Sequence, residues 1–182
     1  MLWIDPDLNL RPSLIELTID PFSRFDYLMS DAIESTIDLD AYFARIGYDG
    51  ERIPTARTLK ALHRAHTTHI PFENLDVLLG RPIQIDLKSV EAKLVRDHRG
   101  GYCFEQNALF AAALEQLGFD VTRIAGRARH LTTRVLPRTH MILKVEADRA
   151  SWIADVGFGG YGLLEPVLLK AGEEIRQFVW KF

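Results

Sequence analysis

Cys103, His140 and Asp155 are the residues whose types and spacing best suit covalent chemistry. Cys103 is the single cysteine of the chain. It stands two residues after Gly101, in what reads as the opening turn of a helix, where unpaired N–H groups and the macrodipole favour an anion. A thiolate there is a nucleophile, and the glycine turn before it offers backbone N–H groups to an oxyanion. The plainer alternative is a buried thiol acting as a small hydrophobe. A nucleophilic cysteine needs a base, and the base needs an orienter. Six histidines compete for the part. If residues 141–145 and 151–156 pair as an antiparallel hairpin with its turn centred between Ala147 and Asp148, His140 lies directly across from Asp155. Their Cβ atoms are then roughly 4.5–5.5 Å apart. A slip of one residue separates them. The same register gathers Met141, Leu143 and Val145 with Trp152, Ala154 and Val156 on the opposite face. The alternative is a surface His–Asp pair without a chemical role.

Other features read less specifically. Gly157-Phe158-Gly159-Gly160 is a glycine-rich turn leaving a strand, able to wrap a phosphate or to be an ordinary tight turn. It lacks the Lys-Ser/Thr of a P-loop. Arginines at 123, 127, 129, 134 and 138 make a locally basic stretch, explained either by solvated strand faces or by a polyphosphate ligand. His63, His66 and His69 drift round a helix by about 60° per step, which does not suit one metal ion, and no metal is expected. Glu73, set among apolar residues in Pro71-Phe72-Glu73-Asn74-Leu75, needs a cationic partner, for which Arg99 is placed.

The elements that must position these residues change character along the chain. Residues 1–36 show no sustained period and read as a leader, with Met29 an alternative start. Leu39, Tyr42, Phe43 and Ile46 share a helical face that Gly47 ends. Residues 58–69 form a second amphipathic helix, with Thr58 as N-cap and Pro71 as stop. Residues 102–117 form the most regular helix, striped by Leu109, Ala113 and Leu117 and stopped by Gly118. Beyond Gly118 the period moves towards two, around residues 121–124, 141–145 and 151–156. Helices precede strands, which argues for an α+β fold, with residues 37–117 as a helical unit and 118–182 as a β unit.

Composition narrows the function classes. The 182 residues are 47% hydrophobic and 26% charged, enough for a sizeable core. A formal charge of −3 gives no global basic field for nucleic acid or an anionic membrane. No apolar run approaches the ~20 residues that span a bilayer. One cysteine excludes an internal disulfide, so a reducing, cytoplasmic setting is expected.

Pro71-Phe72-Glu73-Asn74-Leu75, Arg99-Gly100-Gly101-Tyr102-Cys103-Phe104-Glu105-Gln106-Asn107, Thr139-His140-Met141 and Asp155-Val156-Gly157-Phe158-Gly159 together resemble the arylamine N-acetyltransferase family, in order and in separation. The resemblance runs from about Ile37 to about Pro166. It implies a helical domain followed by a β-barrel, sharing the core plan of papain-like cysteine proteases. It also implies a Cys103–His140–Asp155 triad, acetyl-CoA as co-substrate, and arylamines, arylhydrazines or N-hydroxyarylamines as acceptors in a ping-pong reaction. Phe72 and Phe158 match acceptor-pocket positions, Glu73 and Arg99 a structural ion pair, and Gly157, Gly159 and Gly160 the turn that approaches the coenzyme. The family carries a third, C-terminal α/β lid domain. This chain reaches Phe182 in what reads as mid-strand, and so is expected to lack the lid and to expose a barrel edge that invites self-association. A hydrolase using the same triad, or a non-catalytic remnant that binds coenzyme A or a protein partner, are the competing expectations.

Overall fold

The computed structural model describes residues 16–17, 36–127, 137–170, 172, 174–177 and 180–181. Met29, Arg129 and Arg134 lie outside the described residues. Helix α1 (Leu39–Ile46) begins where the Asp38 carboxylate accepts the Ala41 N–H at 2.9 Å and ends on Gly47, left-handed at φ 65°. It buries Tyr42, Phe43 and Ile46, three of the four residues expected on its inner face. Helix α2 (Ala56–His69) starts earlier than expected. Its cap is Thr55, whose Oγ1 accepts the Thr58 N–H at 3.2 Å, and Thr58 itself is a buried first-turn residue. The chain then turns extended ahead of Pro71, which excludes the helical conformation from the residue before it.

Two short helices follow that no periodicity announced: α3 (Leu75–Leu78) and α4 (Leu87–Glu91), the latter running on as a π-helical turn over Ala92–Arg96. Runs of four or five residues are too brief to show a 3.6 period. Helix α5 (Cys103–Gln116) differs in kind. Leu109, Phe110, Ala111, Ala112, Ala113 and Leu114 are all buried, so it is enclosed on nearly every side rather than amphipathic. Gly118, at φ 87°, releases the chain into the sheet.

The sheet is antiparallel throughout, in the order β1 (Glu16–Leu17), β2 (Asp120–Arg127), β3 (His140–Ala147), β4 (Ala150–Ala154) and β5 (Val167–Leu168). A two-stranded ribbon of β6 (Arg176–Gln177) and β7 (Trp180–Lys181) stands apart. Among the described residues β1 and β5 are opposite edges and no pairing closes the sheet into a barrel. What is seen is a helical half followed by an antiparallel sheet. Strand β1 comes from the segment expected to be a leader: Glu16 and Leu17 pair with Arg127 and Gly126.

The β3–β4 register corrects the expected one. Leu143 pairs with Ala154 and Ala147 with Ala150, two residues away from the pairing that sets His140 opposite Asp155. The turn is the two-residue Asp148-Arg149, both at positive φ (51° and 62°), a geometry that matches strand twist. An even slip keeps every side chain on its face. Leu143, Val145, Ala147, Ala154 and Val156 therefore still join one core, which they share with Leu59, Leu62, Leu109, Phe110 and Leu114 of the helices. On the other face Ile142 packs with Ile124, Ile153 and Leu163. Strand β3 is thus covered on both sides and is the rigid rail that carries His140.

Candidate active site

Three elements converge. Cys103 is the first residue of α5, His140 the first of β3, and Asp155 follows the last residue of β4. All three are buried, at 8%, 6% and 2% exposure. His140 Nε2 lies 2.6 Å from Asp155 Oδ2. A carboxylate only accepts, so Nε2–H donates and the other ring nitrogen, Nδ1, is left for the sulfur. Burial pushes the imidazolium down, but bonds to Asp155 and Cys103 outweigh it and hold His140 at about 9. The thiol itself points at the Thr139 carbonyl, 3.8 Å away.

Asp155 is fixed by more than the histidine. Its Oδ1 accepts Asn107 Nδ2–H at 3.0 Å and the Gly157 N–H at 2.9 Å. Asn107 also donates to the Met141 carbonyl at 2.8 Å and accepts the Val156 N–H at 3.1 Å. One amide thus ties α5, β3 and the exit of β4 into a single frame. Asn107 lies four residues after Cys103, one helical turn on the same face, and that spacing was the available signal for its position.

The turn before Cys103 is built from close backbone contacts. Glu73 N–H donates to the Gly101 carbonyl at 3.0 Å, and Gly101 N–H to the Pro71 carbonyl at 3.3 Å. A Cβ on Gly100 would meet that Pro71 oxygen at 2.1 Å, so only glycine fits. Gln106 donates to the Pro71 and Gly101 carbonyls at 2.9 and 3.2 Å while accepting His66 Nε2–H at 2.7 Å. His66 Nδ1 in turn accepts the Tyr42 hydroxyl at 2.8 Å. His66 is a buried strut. His69, exposed, bonds the Ala65 carbonyl through Nδ1.

Beneath the turn, Arg99 reaches Glu73 and Asp76, both at 2.8 Å. Lys93 completes a cluster the sequence did not announce, 3.0 Å from Asp76 and 2.8 Å from Glu105. Glu105 also accepts the Tyr102 N–H at 3.0 Å, one half of a capping box that anchors the start of α5. Lys93 and Arg99 hold Asp76 down at about 2.

A cavity of about 460 Å³ opens beside the triad. Phe72, Phe158, Gly159 and Gly160 line it together with Asp155, Leu164 and Gln177, whereas Cys103 and His140 do not. The Phe158 ring stands edge-on to His140, centroids 5.1 Å apart. A Cβ on Gly157 would be 2.7 Å from Cys103 Cα and 2.8 Å from Asn107 Nδ2, so its smallness allows close packing against Cys103. Gly159 is left-handed at φ 79° against the Phe72 ring, and Gly160 faces open space. Among the described residues no group of three His, Cys, Asp or Glu side chains is placed to hold a metal ion, and no helix is long and apolar enough to cross a membrane.

Such an arrangement can activate a thiol against an acyl carbon. The sequence pattern of the family described as N-acetyltransferase matches residues 55–182. The arylamine N-acetyltransferase of Escherichia coli is 52% identical over 132 residues, covering 72% of this chain and 47% of that protein. The arylamine N-acetyltransferase / N-hydroxyarylamine O-acetyltransferase of Salmonella typhimurium is 49% identical over 140 residues, covering 76% and 49%. Among solved structures, the Salmonella typhimurium arylamine N-acetyltransferase superposes with a TM-score of 0.73 at 47% identity, over 76% of this chain and 51% of that one. The Mycobacterium marinum enzyme in complex with CoA gives 0.73 at 38% identity, over 77% and 54%. The chain spans about half the length of the relatives it matches. On the family pattern and the shared fold, the chain belongs to the N-acetyltransferase family, and the relatives it matches there are arylamine N-acetyltransferases.

Proposed function

We propose that the chain carries out acetyl-CoA-dependent acetylation of arylamines, arylhydrazines and N-hydroxyarylamines through an acetyl-cysteine intermediate, with Cys103, His140 and Asp155 as its catalytic residues. The observation that carries this reading is the 2.6 Å bond from His140 Nε2 to Asp155, which fixes the tautomer and leaves Nδ1 for the thiol. His140 takes the thiol proton, and the Cys103 sulfur attacks the thioester carbonyl carbon. The carbon–sulfur bond to coenzyme A then breaks, and coenzyme A leaves with the proton from His140. The amine nitrogen next attacks the acetyl-cysteine. Its proton passes to His140 and on to the freed sulfur, and the acetylamine departs. Asp155 stabilises the imidazolium at each proton transfer without itself being protonated. The N–H of Cys103, first in α5 and without an intrahelical acceptor, is offered to the developing oxyanion.

Phe72 and Phe158 give the acceptor flat apolar walls on which an aromatic ring stacks. Gly159 and Gly160 leave backbone open on the coenzyme side. Glu73 and Arg99 serve as the structural pair beneath the site. The same reading takes residues 1–36 as a leader and 37–117 as the helical domain. It takes 118–182 as part of a barrel, supported by the change from helices to strands at Gly118 and by the two-sided burial of β3. It places the chain in a reducing, cytoplasmic setting because the thiol must stay free. It also allows the sheet edges to pair between copies. Two-substrate kinetics test it: parallel double-reciprocal lines with an arylamine acceptor support ping-pong transfer. Acetyl-CoA consumption that no arylamine accelerates would favour a hydrolase.

A further inference from the structure

His63 lies outside the reacting atoms, yet it touches the site at its most constrained point. It is fully buried on α2, edge-on to Phe110 at 5.8 Å. Its Nε2 meets the backbone N–H of Asp155 at 3.2 Å, and its Nδ1 meets the Leu164 carbonyl at 3.2 Å. An amide N–H only donates and a carbonyl only accepts, so both contacts demand one tautomer, with the proton on Nδ1 and Nε2 bare. Burial pushes this imidazole down to about 4, with Asp155 opposing, so the neutral form that the geometry needs is the form present. His66, one turn further along α2, is also buried and pushed down, to about 3, chiefly by burial. The chain of bonds continues outward. The Leu164 and Glu165 N–H groups both donate to Gln177 Oε1, at 2.8 and 3.1 Å, and Gln177 donates back to the Glu165 carbonyl at 2.6 Å. Leu164 and Gln177 line the cavity that Phe72 and Phe158 wall.

We propose that His63 is a positioning residue that joins the acceptor-cavity wall to the triad: its bare Nε2 holds the Asp155 backbone, and so the aim of the Asp155 carboxylate at His140, while its Nδ1–H holds the 164–165 segment. The proposal deepens the acetyl-transfer reading and rests on it. Asn107 and Gly157 grip the side chain of Asp155. His63 grips the main chain instead, from a helix that carries none of Cys103, His140 and Asp155.

The test compares His63→Gln, His63→Asn and His63→Leu with the parent by the rate of Cys103 alkylation with iodoacetamide across pH 5–10. The glutamine carbonyl oxygen reaches the place of Nε2 and can accept the Asp155 N–H. The asparagine amide reaches only the place of Nδ1 and keeps the Leu164 link alone. His63→Gln should keep the parent profile. His63→Asn and His63→Leu should lower the upper inflection, set by His140, by about one pH unit and so slow alkylation by about twofold at pH 8 and about fivefold at pH 9. Coincident profiles for glutamine and asparagine, both folded by circular dichroism, would overturn the proposal. Should the variants fold poorly, ¹⁵N shifts of His63 in the unmodified protein decide: a protonated Nδ1 with a bare Nε2 at pH 7 supports it, and the reverse tautomer or an imidazolium overturns it. Alkylation needs neither acetyl-CoA nor an amine. A parent chain that alkylates but accepts no acetyl group would therefore defeat the acetyl-transfer reading while leaving the His63 comparison readable.

Discussion

At the scale of the residue, the site depends on one imidazole serving two partners. Asp155→Asn preserves volume and offers no charge, so His140 should fall from about 9 towards its ordinary 6.5. Alkylation of Cys103 at pH 8 should then slow by about tenfold or more while circular dichroism stays native. Unchanged reactivity would reduce Asp155 to a hairpin residue. Cys103 was legible as the single cysteine, and His140 and Asp155 because an even slip in register leaves the two on one face of the hairpin. Their supports were not. Asn107 had only its one-turn spacing from Cys103 to mark it, and Lys93, Asp76 and His63 are ordinary polar residues until the fold brings them together, with partners 12 to 92 positions away. The arginine at 99 was legible as a partner of Glu73, but the cluster that also includes Lys93 and Glu105 needed three dimensions.

At the scale of the element, face was readable and register was not. Alternation in β3 and β4 assigns inner and outer residues correctly under any even slip, so the core set survives the two-residue correction. The hairpin itself was expected, but the turn that decides its register contains no glycine, which is why nothing in the sequence centred it on Asp148-Arg149. Arg149 there adopts a backbone that non-glycine residues pay to reach, and Asp148 is useful besides, accepting the Ala56 N–H at 3.0 Å. Arg149→Gly is therefore expected to stabilise the chain by about 1 kcal/mol in denaturant titration. Thr55→Ala, which strips the N-cap of α2, is expected to cost about 1 kcal/mol. An unchanged midpoint in the second variant would return the cap to Thr58, where the period alone placed it.

At the scale of the whole molecule, one core spans helices and sheet, and two buried histidines brace it. His63 is held down at about 4 and His66 at about 3, in both cases chiefly by burial. A folded-state value below the unfolded one means that the unfolded chain binds protons first. Each histidine thus contributes stability that is present above about 6.5 and is lost as pH falls through its folded value. His140, raised to about 9, behaves oppositely: its contribution is complete below about 6.5 and is lost as pH rises through 9. Between pH 6.5 and 4 the loss therefore belongs to His63 and His66, at up to ~1.4 kcal/mol per pH unit for each. Denaturation midpoints from pH 7 to 4.5 should show it, and His66→Gln should flatten the slope. A flat profile in the parent would mean that these histidines titrate normally. The helix-then-sheet order was legible from the change of period at Gly118. The pairing of Glu16 and Leu17 with β2 was not, because two residues show no alternation.

Whether Cys103 accepts an acetyl group with His140 and Asp155 behind it is measured directly by intact-mass spectrometry after mixing with acetyl-CoA. A single added acetyl group is expected, mapped to Cys103, absent in Cys103→Ala, strongly reduced in His140→Ala, and discharged when an arylamine is added. A folded parent chain that gains no acetyl group, or gains one that Cys103→Ala retains, would contradict that role for Cys103.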